Sequence, residues 1–165
     1  MYLTRNRLSA ASLNLHVIFT RLLYYCGELR NKHKKQRRYL SHDGKRKWIW
    51  DLPKCAVSCC TDKNVLYHDH SKPVRKDTYD KVPKLKEELL KCVPHPMGKI
   101  GDVTILPNCG NQVGRCAEPH AAKECMLGDK IESPVAIRFS IPRDITTGEP
   151  MVPCAICKFV FPDLK

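Results

Sequence analysis

A chain of 165 residues with 42% hydrophobic content is long enough for one ordinary globular domain plus an appendage, and too short for two full hydrophobic cores. Its formal net charge of +12 is unevenly distributed. Residues 1–50 contain twelve Lys and Arg against two acidic residues, whereas the remaining 115 residues contain 17 against 15. The positive charge is therefore a property of an N-terminal extension attached to a nearly neutral domain.

Ten cysteines are a high count for this length. Disulfide frameworks belong mainly to short secreted chains that lack an adequate core, which does not describe this sequence. A metal centre also requires reduced thiols. Several cysteines lie in apolar runs, where a free thiol behaves as a small hydrophobic side chain: Cys55, Cys59, Cys60 and Cys125. The composition favours free thiols and a reducing compartment.

The N-terminal extension is predicted to cover residues 1–47 and to be poorly ordered. Residues 1–27 contain three Arg and no acidic residue, a composition that resembles a transit peptide. The apolar run 13–25 is interrupted by His16 and Arg21, so it is too short and too polar to span a membrane. We expect an intracellular protein, in the cytoplasm or nucleus, with mitochondrial targeting and secretion as alternatives.

A basic run closes the extension. Residues 30–47, RNKHKKQRRYLSHDGKRK, contain nine Lys and Arg. Such blocks are usually solvated, and the functional alternatives are an arm that binds phosphates or a nuclear localisation signal. The aromatic residues Tyr39, Trp48 and Trp50 nearby offer stacking surfaces. Nucleic acid is therefore a candidate partner of this run.

The folded part is predicted to occupy residues 48–165. Residues 55–60 and 65–69 have the composition of two short strands around a turn. Apolar residues at helical spacing predict a helix over 79–92, ended by the prolines that follow. Residues 102–107 predict a third short extended segment.

The second half of this part is predicted to contain two more helices and a strand. A helix is expected over 116–127, with Gly128 as its stop. Residues 135–141, VAIRFSI, form the clearest strand pattern, and Pro153 opens a last helix. The order of elements indicates an α/β fold.

Two short motifs contain candidate metal ligands. Cys116-Ala117-Glu118 and Pro153-Cys154-Ala155-Ile156-Cys157 both lie at predicted helix starts. Positions i and i+3 share a helix face, and a helix N-terminus lowers the pKa of a thiol. Three thiolates with an open fourth position are the ligand set of a catalytic zinc site. Glu118 follows Cys116 closely enough to exchange protons with water at that site without being a ligand.

Three alternatives remain for these cysteines. Cys154 and Cys157 could be a redox pair, although a thioredoxin-type context is absent. Cys109 could join Cys116, Cys154 and Cys157 in a closed structural zinc site, which would make the chain a non-catalytic zinc-stabilised binding module. The thiols could also be buried and unligated.

Residues 55–165 resemble the cytidine-deaminase-like superfamily, in particular the nucleic-acid-deaminase branch that includes polymorphic-toxin deaminases. The resemblance depends on the hairpin CAVSCCTDKNVLYHDHS, the helix start CAEPHAA, the strand VAIRFSI and the turn PCAIC. It implies a three-layer α/β fold with a mixed central sheet, and hydrolytic deamination of a cytosine or adenine base in a nucleoside or single-stranded nucleic acid. It also implies Cys116, Cys154 and Cys157 as Zn²⁺ ligands, and Glu118 as the catalytic proton shuttle.

Two further expectations depend on the resemblance. Nucleoside deaminases of this kind hold ribose with polar residues just before the C-A-E helix, so Asn108, Asn111 and Gln112 are candidate substrate-binding residues. Only eight residues follow Cys157, whereas the family fold continues with a third helix and one or two strands. We therefore expect a fold truncated at its C-terminus, with an inactive deaminase-like fragment as an alternative function.

Three histidines are weaker candidates. His68 and His70 share one strand face but have no third ligand, so they are interpreted as histidines of the hairpin edge, with substrate contact as the alternative. His120 follows Glu118 closely and is interpreted as capping a helix turn, with the site itself as the alternative.

Overall fold

The structure is a computed structural model that describes residues 20–32, 53–63 and 65–164. Within these ranges the chain is an α/β protein with a small antiparallel sheet and four α-helices. The predicted α/β class is confirmed. Most of the basic run, with its proposed phosphate-binding and localisation roles, lies outside the described residues, as do residues 1–19.

Along the chain, the helices and strands follow in this order: α1 (residues 20–32), β1 (Cys55–Cys60), β2 (Tyr67–His70), α2 (Pro83–Leu90), α3 (Ala117–Asp129), β3 (Arg138–Phe139), β4 (Arg143–Asp144) and α4 (Ala155–Val160). The sheet order is β2-β1-β3, and β4 also pairs with β1. Every pairing of these strands is antiparallel. The mixed sheet of a three-layer deaminase fold therefore stays a prediction.

β1 is the central strand and is buried on both faces. Its side chains alternate, so that Val57 belongs to the main core and Ala56 to a second, smaller core on the opposite face. The register with β2 pairs Val57 with Asp69 and Ala56 with His70. The predicted hairpin is confirmed, and helices pack on both faces of the sheet that contains it.

α3 packs on the main-core face through a row of small buried side chains, including Ala117, Ala121 and Ala122. Gly128 does not end this helix. It lies against the ring of Tyr67, at a position where a Cβ atom would overlap that ring. The helix continues to Asp129 and ends at Lys130, which adopts the left-handed conformation with φ of 54°.

Three other elements are shorter than predicted. α2 begins at Pro83, because the buried Tyr79 lies in a preceding turn and donates its hydroxyl to a backbone carbonyl. Residues 102–107 contribute only an isolated bridge from Val103. In the stretch 135–141, only two residues pair as a strand, because a turn of 3₁₀-helix, Pro134–Ala136, precedes them.

α1 lies within the range predicted as an N-terminal extension, yet it packs on the sheet face opposite α3. Its apolar residues recur at helical spacing and form the second core with β1 and the residue after β4: Leu22, Cys26, Leu29, Ala56 and Ile145. Part of the predicted extension thus belongs to the folded unit. Among the described residues, no helix has the length and apolar content needed to cross a membrane.

We expect Leu22→Ala to lower the free energy of unfolding by about 2–4 kcal/mol, because it would remove most of a buried side chain from a packed cluster. Leu22 is 1% exposed, whereas its neighbour Leu23 is 36% exposed. Leu23→Ala is the matched control, with an expected change of about 0.5 kcal/mol. Urea denaturation measures both variants. Equal, small effects would mean that α1 does not contribute to the cooperative unit.

Candidate metal centre and its cavity

The three predicted ligands converge in the structure. Cys116 Sγ lies 3.4 Å from Cys154 Sγ, and Cys154 Sγ lies 3.6 Å from Cys157 Sγ. All three sulfur atoms lie within 4.8 Å of one another. These separations exceed the disulfide bond length of about 2.05 Å, and all three cysteines are free thiols.

The spacing of the sulfur atoms suits a tetrahedral metal site. A Zn–S distance of about 2.3 Å in tetrahedral geometry places two sulfur ligands about 3.8 Å apart. The observed separations of 3.4 and 3.6 Å are a few tenths of an ångström shorter. The three cysteines could therefore hold a metal ion, and the set is compatible with Zn²⁺.

The start of a helix positions each ligand. Cys116 is the N-cap residue of α3 and Cys154 is the N-cap residue of α4, both in extended conformation and neither with a side-chain cap hydrogen bond. Cys157 lies in the first turn of α4 and is fully buried. Both cap thiols are thus directed to the three-sulfur centre.

Neighbouring thiols and burial act on the protonation of the cluster. Hydrogen bonds from Cys116 and Cys157 lower the pKa of the Cys154 thiol. Burial raises the pKa of Cys157. One thiolate is accordingly favoured at Cys154, and a bound cation would favour the other two.

Glu118 lies beside the three cysteines on the first turn of α3. Its residue exposure is only 3%, yet it lines the cavity that reaches the cysteines. Burial raises the pKa of its carboxyl group, which also receives a hydrogen bond from the Cys157 thiol. A carboxyl group of this kind is suited to exchange protons with a ligand in the cavity.

The cavity has a volume of about 510 Å³, within the range of small-molecule sites. Cys116, Glu118 and Cys154 are among its lining residues, and the buried Cys157 lies next to Cys154. Apolar side chains line another part of the wall, among them Val103, Pro142, Met151 and Val152. The remaining lining residues are mostly polar or basic: Lys54, Ser71, Lys72, Asn111, Gln112 and Arg115.

Of the three candidate substrate-binding residues, two line the cavity and one does not. Asn111 lines the cavity and hydrogen-bonds to the Cys154 thiol, and Gln112 also lines it. Asn108 is exposed at a turn with φ of 56° and does not line the cavity. Cys109 packs beside the main core and is not a member of the three-sulfur group, so its position does not favour the four-thiolate alternative.

His120 is buried and does not cap its helix. Its Nε2 atom lies 3.3 Å from the carbonyl oxygen of Lys72, and its ring centroid lies 5.7 Å from that of Tyr79. Burial lowers the pKa of His120 to about 4, so its imidazole is neutral at pH 7. The histidine thus supports the segment around Lys72, which lines the cavity.

His68 and His70 lie on the other face of the sheet, under α1. The ring of Tyr25 stacks on His68 at a centroid distance of 5.6 Å. The Tyr25 hydroxyl lies 2.8 Å from His70 Nδ1, and the Ser58 hydroxyl lies 2.6 Å from His68 Nδ1. These histidines therefore join a helix to the sheet, on the face away from α3.

Sequence reasoning missed three basic residues that line the cavity and are exposed or half-buried, Lys54, Lys72 and Arg115, which together are called the rim. Each belongs to a different segment, and none stands in a motif. Without reference to any known protein, the site contains three cysteines that could hold a metal ion, and a buried carboxyl group in a cavity. Comparison with known proteins adds no relative, because the chain matches no protein-family model, no curated protein and no solved structure.

Proposed function

We propose that the chain is a zinc-dependent hydrolase that deaminates a cytosine or adenine base, in a nucleoside or in single-stranded nucleic acid. The supporting observation is the convergence of Cys116, Cys154 and Cys157 next to Glu118 in one cavity. When bound, Zn²⁺ would supply a Lewis acid that lowers the pKa of water to near neutrality. Three protein ligands leave a fourth position open, as catalytic zinc sites do.

Glu118 supplies the proton transfers in this proposal. Hydrolysis adds water across the ring C=N bond, with the hydroxyl on the carbon that bears the amine and a proton on the ring nitrogen. The bond from that carbon to the amine then breaks, and ammonia leaves with the hydroxyl proton as the C=O bond forms. The Glu118 carboxyl group accepts a hydrogen bond from the Cys157 thiol and lines the same cavity as Cys116 and Cys154, so it is next to the proposed ligands and open to the cavity. It therefore serves as general base and then as general acid.

The surroundings of Glu118 suit a planar heterocycle. Asn111 and Gln112 offer amide donors and acceptors in the cavity wall, and these can pair with the polar edge of a base or with its sugar. Val103 and Val152 offer aliphatic contact surface for the ring. We assign Asn111 to substrate contact before Asn108, since only Asn111 reaches the cavity.

The fold belongs to the same proposal. Helices cover both faces of the sheet, and both cysteine motifs begin helices, α3 and α4. These features support a three-layer deaminase-like domain over residues 48–165, with α1 as an additional helix on the face opposite α3. The α/β class by itself hosts many chemistries, so the site carries the functional argument.

The direct test combines metal analysis with ammonia release. The purified chain is expected to contain about one zinc ion per molecule and to release ammonia from at least one of cytidine, adenosine, their 5′-monophosphates or single strands containing these bases. Uridine, which has no exocyclic amine, is the matched negative control. Full zinc occupancy without ammonia from any substrate would contradict the enzyme assignment, and absence of bound zinc would contradict the site as a whole.

A further inference from the structure

The rim of the cavity is cationic. Lys54, Lys72 and Arg115 line it, and Glu118 is the single acidic residue among the described lining residues. Deamination of a neutral base requires no such cations. Their charge therefore calls for an explanation that the reaction at Glu118 does not supply.

Among the described residues, two of the three rim cations have no carboxylate partner. Lys72 Nζ lies 2.8 and 2.7 Å from the two carboxylate oxygens of Asp69, whose side chain is 7% exposed, so this lysine is held in an ion pair. Within the described part of the chain, Lys54 and Arg115 form no ion pair with a carboxylate. Arg115 Nη1 instead donates to the amide oxygen of Gln112 at 2.8 Å, which orients the guanidinium without cancelling its charge.

Backbone hydrogen bonds bring the three basic residues together. The N–H of Lys72 donates to the carbonyl of Arg115 at 3.2 Å. The preceding residue, Ser71, accepts with its Oγ atom from the N–H of Lys54 at 2.9 Å and from the N–H of Cys55 at 3.2 Å. The segments before β1, after β2 and before α3 therefore meet at the rim. These hydrogen bonds fix the backbone positions of the three basic residues.

Ser71 also has an unused donor. A serine hydroxyl has two acceptor positions and one O–H donor, and the N–H groups of Lys54 and Cys55 occupy its acceptor positions. No described residue accepts the Ser71 O–H. Because Ser71 lines the cavity, this donor is available to an oxygen atom of a ligand between Lys54 and Arg115.

We propose that Lys54, Ser71 and Arg115 form a phosphate subsite, so that the substrate is a phosphorylated nucleoside, either a nucleotide or a strand of nucleic acid, and not a free nucleoside. This inference rests on the proposed deaminase function. Two cations that pair with no carboxylate in the described part of the chain, and a hydroxyl donor, match the charge and the acceptor oxygens of a phosphate group. The cavity, at about 510 Å³, holds the phosphate at its rim with the base near Glu118.

Binding separates this subsite from the chemistry. In zinc-loaded Glu118→Gln protein, calorimetry is expected to show cytidine or adenosine 5′-monophosphate binding at least about tenfold more tightly than the matching nucleoside. Adding Lys54→Gln or Arg115→Gln is expected to reduce that preference by about tenfold each. Lys81→Gln, an exposed lysine that does not line the cavity, is the control with unchanged preference. Equal affinities for nucleotide and nucleoside in the parent protein overturn the phosphate subsite.

The two proposals fail in different ways. Ammonia released from nucleosides and nucleotides with equal kcat/KM, unaffected by Lys54→Gln and Arg115→Gln, would overturn the subsite and leave the deaminase intact. Selective nucleotide binding without ammonia release would do the reverse.

The salt dependence of binding distinguishes a mononucleotide from a strand of nucleic acid as the ligand that carries the phosphate. A bound single strand loses affinity with a log–log slope of about 0.7 per neutralised phosphate, and each rim variant should remove about one such increment. Mononucleotide binding as tight as oligonucleotide binding would identify a single phosphate as the ligand group. Either result supports the subsite, and variants that change neither slope nor affinity contradict it.

Discussion

Replacing Glu118 by glutamine is expected to lower ammonia release by about 10²- to 10⁴-fold while zinc content stays unchanged. The amide has nearly the same shape as the carboxyl group but cannot take up and return a proton. Because Glu118 is only 3% exposed, a neutral isostere also avoids burying a new charge, so the fold should persist. Elemental analysis and single-turnover ammonia release measure the two quantities on one preparation.

The same helix provides the control for this variant. Glu124 lies on α3, its side chain is 45% exposed, and it pairs with Lys123 at 3.0 Å on the surface. Glu124→Gln is expected to leave both zinc content and turnover unchanged. If Glu118→Gln retained full turnover, the proton-shuttle role would be wrong. If it lost zinc together with turnover, the residue would be a structural support of the metal centre.

Replacing Cys157 by serine is expected to reduce zinc content to a small fraction of that in the parent protein and to make ammonia release undetectable. Cys157 is a fully buried member of the three-sulfur group, and a neutral hydroxyl is a far weaker zinc ligand than a thiolate. A bound metal stabilises only the folded chain, so a chelator should lower the Tm of the parent and leave the Tm of Cys157→Ser nearly unchanged. Thermal unfolding with and without chelator provides the measurement.

Cys109→Ser is the matched substitution, because Cys109 is also a free thiol but lies outside the three-sulfur group. We expect it to keep its zinc and its response to chelator. Loss of zinc in Cys109→Ser would identify a closed four-thiolate site, and the chain would then be a zinc-stabilised binding module. Retention of zinc in Cys157→Ser would contradict the assignment of the ligands.

Local features of the site were predictable from the sequence. The i and i+3 spacing of Cys154 and Cys157 places both thiols on one face of a helix start, whatever the rest of the chain does. Their meeting with Cys116, which lies 38 residues before Cys154, is a long-range contact that spacing does not encode. That meeting was expected from the ligand chemistry of the two motifs and from the family resemblance, and the structure brings the three sulfurs together.

Predictions failed where packing decides the local conformation. Gly128 is a residue type that often ends a helix, but α3 continues to Asp129, and Gly128 instead allows close packing against the Tyr67 ring. The rim residues Lys54 and Arg115 had no sequence signal, because only the folded chain brings them beside Ser71.

α1 is an intermediate case between these two. Its apolar residues Leu22, Cys26 and Leu29 have helical spacing in the sequence, and the structure places them against the sheet. The surrounding charge and the resemblance of residues 1–27 to a transit peptide concealed this pattern. Amphipathic spacing was the more informative signal there, because it reflects burial against a partner surface.

The cap positions of Cys116 and Cys154 have a mechanical consequence. Neither residue forms a side-chain cap hydrogen bond, so the sulfur atom at the start of each helix can serve as a metal ligand. An ion held by both sulfurs would link the start of α3 to the start of α4, so metal binding would restrain the relative position of two segments that line the cavity.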